Sequence, residues 1–79
     1  MSRIILVDDD ADVRKLAKKI LEKEGHIVVT IDGGLAALDE LNKNNYDLLI
    51  SDASMPQYSG FDLIRALRRQ PRHKNLVIA

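Results

Sequence analysis

Two short runs, Ile4-Ile5-Leu6-Val7 and Leu48-Leu49-Ile50, are unbroken stretches of apolar residues; the first leads straight into Asp8-Asp9 and the second, one serine later, into Asp52. Each is too short for a helix, and a strand without polar alternation is one buried on both faces, as in parallel sheets covered by helices. The strand-like segments span Arg3 to Val7 and Tyr46 to Ser51. Both therefore deliver carboxylates at their C-terminal ends, where open α/β sheets keep their ligand sites. Oxygen ligands gathered there suit a hard cation such as Mg²⁺, which also relieves the repulsion between like charges. The pattern points to a phosphoryl-transfer site.

Helical periodicity fills the chain between the strands. Val13, Leu16, Ala17, Ile20 and Leu21 recur at helical spacing among Arg14, Lys15, Lys18, Lys19 and Glu22, with Asp10 or Asp12 as cap and Gly25 as stop. His26 to Ile31 reads as a second strand, and Asp32-Gly33-Gly34 as a turn before a helix with Leu35, Leu38 and Leu41 inward. After a loop from Ala53 to Ser59, a third helix starts at Gly60 with Phe61, Ile64 and Leu67 inward, Arg65, Arg68 and Arg69 facing water, and Pro71 at its exit. Leu76-Val77-Ile78 begins a fourth strand. The order β-α-β-α-β-α-β calls for an α/β fold, a mainly parallel sheet with helices on both faces, because each parallel return needs a right-handed crossover.

Composition narrows the class. Twelve basic and twelve acidic residues balance to zero, apolar residues make up 46%, and there is no cysteine. That fits a folded domain, excludes disulfide, thiolate-metal and redox motifs, and gives nucleic acid no electrostatic footprint. No apolar stretch approaches the ~20 residues of a membrane span, and Met1-Ser2-Arg3 leaves no room for a signal peptide, so a cytoplasmic location is expected. With 79 residues, burial is only somewhat above ~60% of the unfolded surface and the stability margin is thin.

With the first and third strands adjacent, Asp8, Asp9 and Asp52 converge on one patch. A metal there, with Asp9 as the best direct ligand and Asp8 direct or through water, would keep positions free for phosphate oxygens. Asp52 would be the nucleophile that carries the phosphoryl group. Aspartates also follow strands as caps and turns, the role given to Asp10 and Asp12. The acid pair at one strand end and the single acid at the other favour function for the other three.

These residues resemble the receiver domain of bacterial two-component response regulators. The resemblance rests on Ile4 to Asp10 with Val13-Arg14, on Leu48 to Asp52, and on Met55-Pro56 and Gly60-Phe61 behind the acid. It implies a flavodoxin-like fold with strand order 2-1-3-4, and Asp52 as phosphoacceptor. It further implies Asp8, Asp9, Asp52 and the backbone carbonyl of Ser54 around Mg²⁺. The implied donor is a phosphohistidine on a sensor histidine kinase or phosphotransfer protein. Such a domain is not an enzyme beyond catalysing its own phosphorylation and dephosphorylation.

Residues 1–79 are expected to be the N-terminal part of a single receiver domain, ending at the fourth strand. By the same resemblance a Ser or Thr after the fourth strand and a Lys after the fifth lie outside it, which weakens phosphoryl transfer and switching more than metal binding. A fourth strand left as an open edge, and apolar surface left uncovered, lead us to expect self-association. Two other functions compete. One is a non-catalytic dimerising scaffold. The other is a phosphatase of the haloacid dehalogenase type, which expects an acid two positions after the nucleophile, where this chain has Ser54. His26 and His73 have no metal-ligand spacing, the basic cluster Arg65, Arg68, Arg69, Arg72 and Lys74 reads as a solvated face, and Tyr58 reads as an exposed loop residue.

Overall fold

Alternating apolar faces and short loops assemble β1 (Arg3–Val7), α1 (Ala11–Lys23), β2 (Ile27–Ile31), α2 (Gly34–Lys43), β3 (Leu48–Ser51), α3 (Gly60–Arg68), a 3₁₀ turn (Pro71–His73) and β4 (Val77–Ile78). The computed structural model describes residues 1–79. All strand pairs are parallel, as the crossover argument required, and the sheet order is β2-β1-β3-β4, as the receiver resemblance implied. β1 has the expected bounds, while β2, β3 and β4 begin one or two residues later than the sequence suggests, so His26, Tyr46 and Leu76 stand just outside them.

The period of two along β1 divides the core. Ile5 and Val7, with Leu49 of β3, face α2 and α3 and pack with Ala37, Leu41, Leu63, Leu67 and Met55. Ile4 and Leu6, with Val28 of β2, form a smaller cluster against Ala17 and Leu21 of α1. One helix on one face and two on the other is the arrangement that right-handed crossovers dictate.

Helix ends follow their local chemistry. The Asp10 side chain accepts from Asp12 and Val13 N–H groups and so is the cap, while Asp12 lies in the first turn. At the other end of α1, Gly25 takes φ +91°, with its N–H on Glu22 O and His26 N–H on Leu21 O. This is a Schellman stop, which needs a residue without Cβ strain. Ser59 and Asp62 form a reciprocal capping box on α3, and Asp62 is held below the ordinary carboxylate range, first by the Ser59 N–H and then by its hydroxyl.

Several inward assignments are corrected. On α1, Val13, Leu16 and Ile20 are exposed, and only Ala17 and Leu21 pack on the sheet. On α2, Leu35 is exposed and Ala37 replaces it in the core. On α3, Phe61 is 65% exposed while Leu63 is fully buried. Arg68 and Arg72 are not idle solvent charges. Arg68 donates to His73 O and Leu76 O, and Arg72 to Asn42 O and the Asn45 side chain, binding the α2–β3 and α3–β4 connections together. His73 is buried with Nε2 3.3 Å from Asn42 Oδ1. Burial, reinforced by the Arg72 charge, holds its pKa below the usual 6.5.

Two outcomes follow. Leu63→Ala, emptying a closed site, should cost about 2–5 kcal/mol in urea unfolding, and Phe61→Ala less than about 1 kcal/mol. Because the unfolded chain protonates His73 at higher pH than the folded one, its stabilising contribution is complete above the ordinary value of 6.5 and is lost as pH falls from there toward the folded value. The urea midpoint should therefore drop between about pH 7.5 and about pH 5.5, and drop less in His73→Gln.

Candidate metal and phosphoacceptor site

Register brings the acids together. Val7 of β1 stands opposite Ser51 of β3, and the ladder runs one step further with Asp52 N–H on Val7 O at 2.9 Å. On the other side Asp8 N–H reaches Ile31 O of β2 at 3.1 Å. Asp8, Asp9 and Asp52 consequently place one carboxylate oxygen each within 4.8 Å of one another. Asp9 is exposed, and Asp8 and Asp52 are half-buried.

Two of the acids are oriented by their own turns. The Asp8 carboxylate accepts from Asp10 N–H at 2.9 Å, and the Asp52 carboxylate accepts from Ser54 N–H at 3.1 Å. Each keeps an oxygen outside these bonds. At this spacing a pair of carboxylates repels by roughly 1 kcal/mol even in water-like surroundings. Oxygens around octahedral Mg²⁺ lie about 3 Å apart when adjacent and about 4.2 Å when opposed, so small side-chain torsions bring this set onto one ion. The donor set fits the metal: all oxygen, negatively charged, partly open to water.

The loop behind Asp52 is anchored at three points. Met55 is buried in the larger core cluster. Tyr58, half-buried rather than exposed, packs so closely on Gly34 that a Cβ there would lie 2.5 Å from its ring and 2.7 Å from its carbonyl. A Cβ on Gly60 would lie 2.4 Å from Asp52 O. Between the first two anchors, Tyr58 N–H bonds Pro56 O across Gln57, whose φ of +70° marks a strained γ-turn. Ser54 lies exposed in this loop, and its side chain supplies no acid.

Pattern reading brought Asp8, Asp9 and Asp52 to one place, and the structure joins them. It gave no role at the site to Arg14, whose guanidinium donates to Asp8 O at 2.7 Å, or to the contact pair Gly34–Tyr58. Neither role has a signal in spacing: Arg14 acts on a backbone carbonyl, and Gly34 acts by the side chain it lacks.

The model of the response regulator receiver domain matches residues 4–79. This chain belongs to the response regulator receiver family. It is 44% identical over 69 residues to the transcriptional regulatory protein CpxR of Escherichia coli, covering 87% of this chain and 29% of that protein. The chemotaxis response regulator CheY4 of Vibrio cholerae superposes with TM-score 0.95 at 33% identity, over 99% of this chain and 65% of that one. TrrA of Thermotoga maritima, solved in complex with Mg²⁺-BeF, superposes with TM-score 0.86 at 38% identity, over 91% of this receiver chain and 63% of its own. The receiver chain thus spans less than two thirds of each of these relatives. No helix in it is long and apolar enough to cross a membrane.

The glycine contacts make a direct prediction. Gly60→Ala must push the Asp52–Ala53 backbone aside and Gly34→Ala the Tyr58 ring and carbonyl, so each should destabilise by about 1–3 kcal/mol. Gly33→Ala, where a Cβ meets nothing, should lose only the preference of a helix N-cap for Gly over Ala, about 0.5 kcal/mol. Thermal and urea unfolding of the three variants distinguishes them.

Proposed function

We propose that this chain is the N-terminal part of a receiver domain whose Asp52 accepts a phosphoryl group from the phosphohistidine of a sensor histidine kinase or phosphotransfer protein. Asp8, Asp9, Asp52 and the Ser54 carbonyl are the proposed ligands of Mg²⁺. The observation that carries the reading is the convergence of three carboxylates at the C-terminal ends of paired parallel strands. When bound, Mg²⁺ supplies the positive charge that offsets the phosphoryl oxygens and the acids together.

The chain's own contribution is positioning. Ser54 N–H fixes the plane of the Asp52 carboxylate, and the oxygen outside that bond is free for in-line attack on phosphorus. The P–N bond to the donor imidazole breaks as the P–O bond forms, and the electron pair stays on the ring nitrogen, which takes a proton from solvent. The acids lie on open surface rather than in a cleft. The concave region of about 260 Å³ lies at the opposite end of the sheet, around Tyr46, Asp47, Arg72 and His73. We favour the acid patch as the site because it carries the chemistry, and an open patch suits a phosphoryl group delivered by another protein. The residue two positions after Asp52 is Ser54 rather than an acid, which speaks against a haloacid dehalogenase-type phosphatase; the chemistry of this chain is at most the phosphorylation and dephosphorylation of its own Asp52. Receiver signalling of this kind belongs in the cytoplasm.

A second partner is another copy of the chain. Val77 on the outer strand β4 and Leu16 and Ile20 on α1 are each more than half exposed, and β4 has a single neighbour. An open strand edge and exposed apolar side chains each favour association. Light scattering should show mass rising with concentration; a monomer at high concentration removes this partner and with it the scaffold reading.

Intact-mass measurement after incubation with Mg²⁺ and a small acyl phosphate tests the main reading. One phosphoryl group should be gained, and chelating the metal or substituting Asp52→Asn should each abolish the gain. A folded chain that stays unmodified with metal present contradicts the phosphoacceptor role.

A further inference from the structure

We infer that Arg14 is a positioning residue for the acid pair, holding the Asp8–Asp9 turn in the shape that receives a cation. The inference rests on the metal-site reading above.

Three hydrogen bonds fix Asp8. Its N–H donates to Ile31 O at 3.1 Å, its carboxylate accepts from Asp10 N–H at 2.9 Å, and its carbonyl accepts from Arg14 Nη1 at 2.7 Å. The first continues the sheet and the second is local; only the third comes from the body of α1. Asp9 takes part in no hydrogen bond of its own. Its direction is set by the peptide planes on either side, and the Asp8 carbonyl shares a rigid plane with the Asp9 N–H. By holding that carbonyl, Arg14 sets the plane from which the exposed acid projects.

Arg14 is half-buried on the same stripe of α1 as Ala17, Lys18 and Leu21, which points toward the sheet. A guanidinium is permanently charged, and a charge-assisted bond at this length is among the stronger ones. That charge makes the inference testable by sign. A fixed cation beside a cation site repels the incoming metal, so on charge alone its removal tightens Mg²⁺ binding. As a positioning residue, its removal loosens binding, as loss of an outer-shell partner does elsewhere. A purely structural staple changes stability and leaves the affinity of the folded chain as it was.

Calorimetric titration of the 79-residue chain with MgCl₂ alone decides between them. Each protein is first shown to be folded by circular dichroism. Arg14→Met should bind Mg²⁺ about tenfold more weakly than the wild type. Arg14→Gln makes the same change of charge in a residue of good helix propensity, and gives the reading should the Met variant fail to fold. Equal or tighter binding by a folded variant overturns the role of Arg14 while leaving the metal site standing. Absence of binding by the wild-type chain overturns the metal-site reading itself, and this inference falls with it.

Discussion

The parallel pairing of β1 with β3 is the constraint on which everything else depends. Parallel strands cannot be joined by a hairpin, so the pairing obliges the chain to cross over and cover both faces of the sheet. It also aligns like ends: both strands finish on the same edge, and the bond from Asp52 N–H to Val7 O sets the two acid-bearing ends side by side. An antiparallel pairing of the same segments would have sent the acids to opposite edges. A slip of one residue would have exchanged the side chains that β3 presents to the two clusters and displaced Asp52 from Asp8. Register thus links core packing to site geometry without any side chain of the site contributing to it.

Around this axis, close backbone approaches do what side chains cannot. Gly60 lets the start of α3 lie against the Asp52 carbonyl, and Gly34 lets Tyr58 seat on the start of α2. The loop between is short and pinned at Met55, Tyr58 and Gly60, which is why it can hold a positive φ at Gln57. Strain of order 1–3 kcal/mol persists only when the surroundings over-determine it. Here the surroundings are the larger core cluster, so the free energy that holds the loop comes from burial of residues such as Leu63 and Leu67 well behind it.

Strands and caps were legible in the sequence because each has a local cause: unbroken apolar runs for the central strands, Asp10 and Gly25 for the ends of α1; the sheet order, which is not local, came only from the receiver resemblance. The acids were legible because strand ends are. The rotation of each helix was not. Apolar residues at 61, 63, 64, 66 and 67 allow two overlapping stripes on α3, and a periodic reading picks Phe61, Ile64 and Leu67. The Gly60 contact decides against Phe61, since it fixes which side of the first turn touches the sheet. On α1 the stripe Val13-Leu16-Ile20 is the more apolar one, yet Ala17 and Leu21 point inward and carry Arg14 with them. Tertiary contacts selected between faces that hydrophobic periodicity leaves nearly equal.

That choice on α1 connects the two unequal faces of the sheet to the site. Had Val13, Leu16 and Ile20 packed inward, the smaller cluster would be larger and Arg14 would be turned away from the inward stripe. The observed rotation leaves Val13, Leu16 and Ile20 on the outer side of α1 and sets a guanidinium 2.7 Å from the Asp8 carbonyl. α1 is the helix whose first turn follows the acid pair, and the well-packed face carries Asp52 and its loop. The two halves of the acid patch are therefore held by different physics: Asp52 by a dense apolar core behind β3, and Asp8-Asp9 by hydrogen bonds at the end of β1, of which the one from Arg14 is the only one with a charged donor.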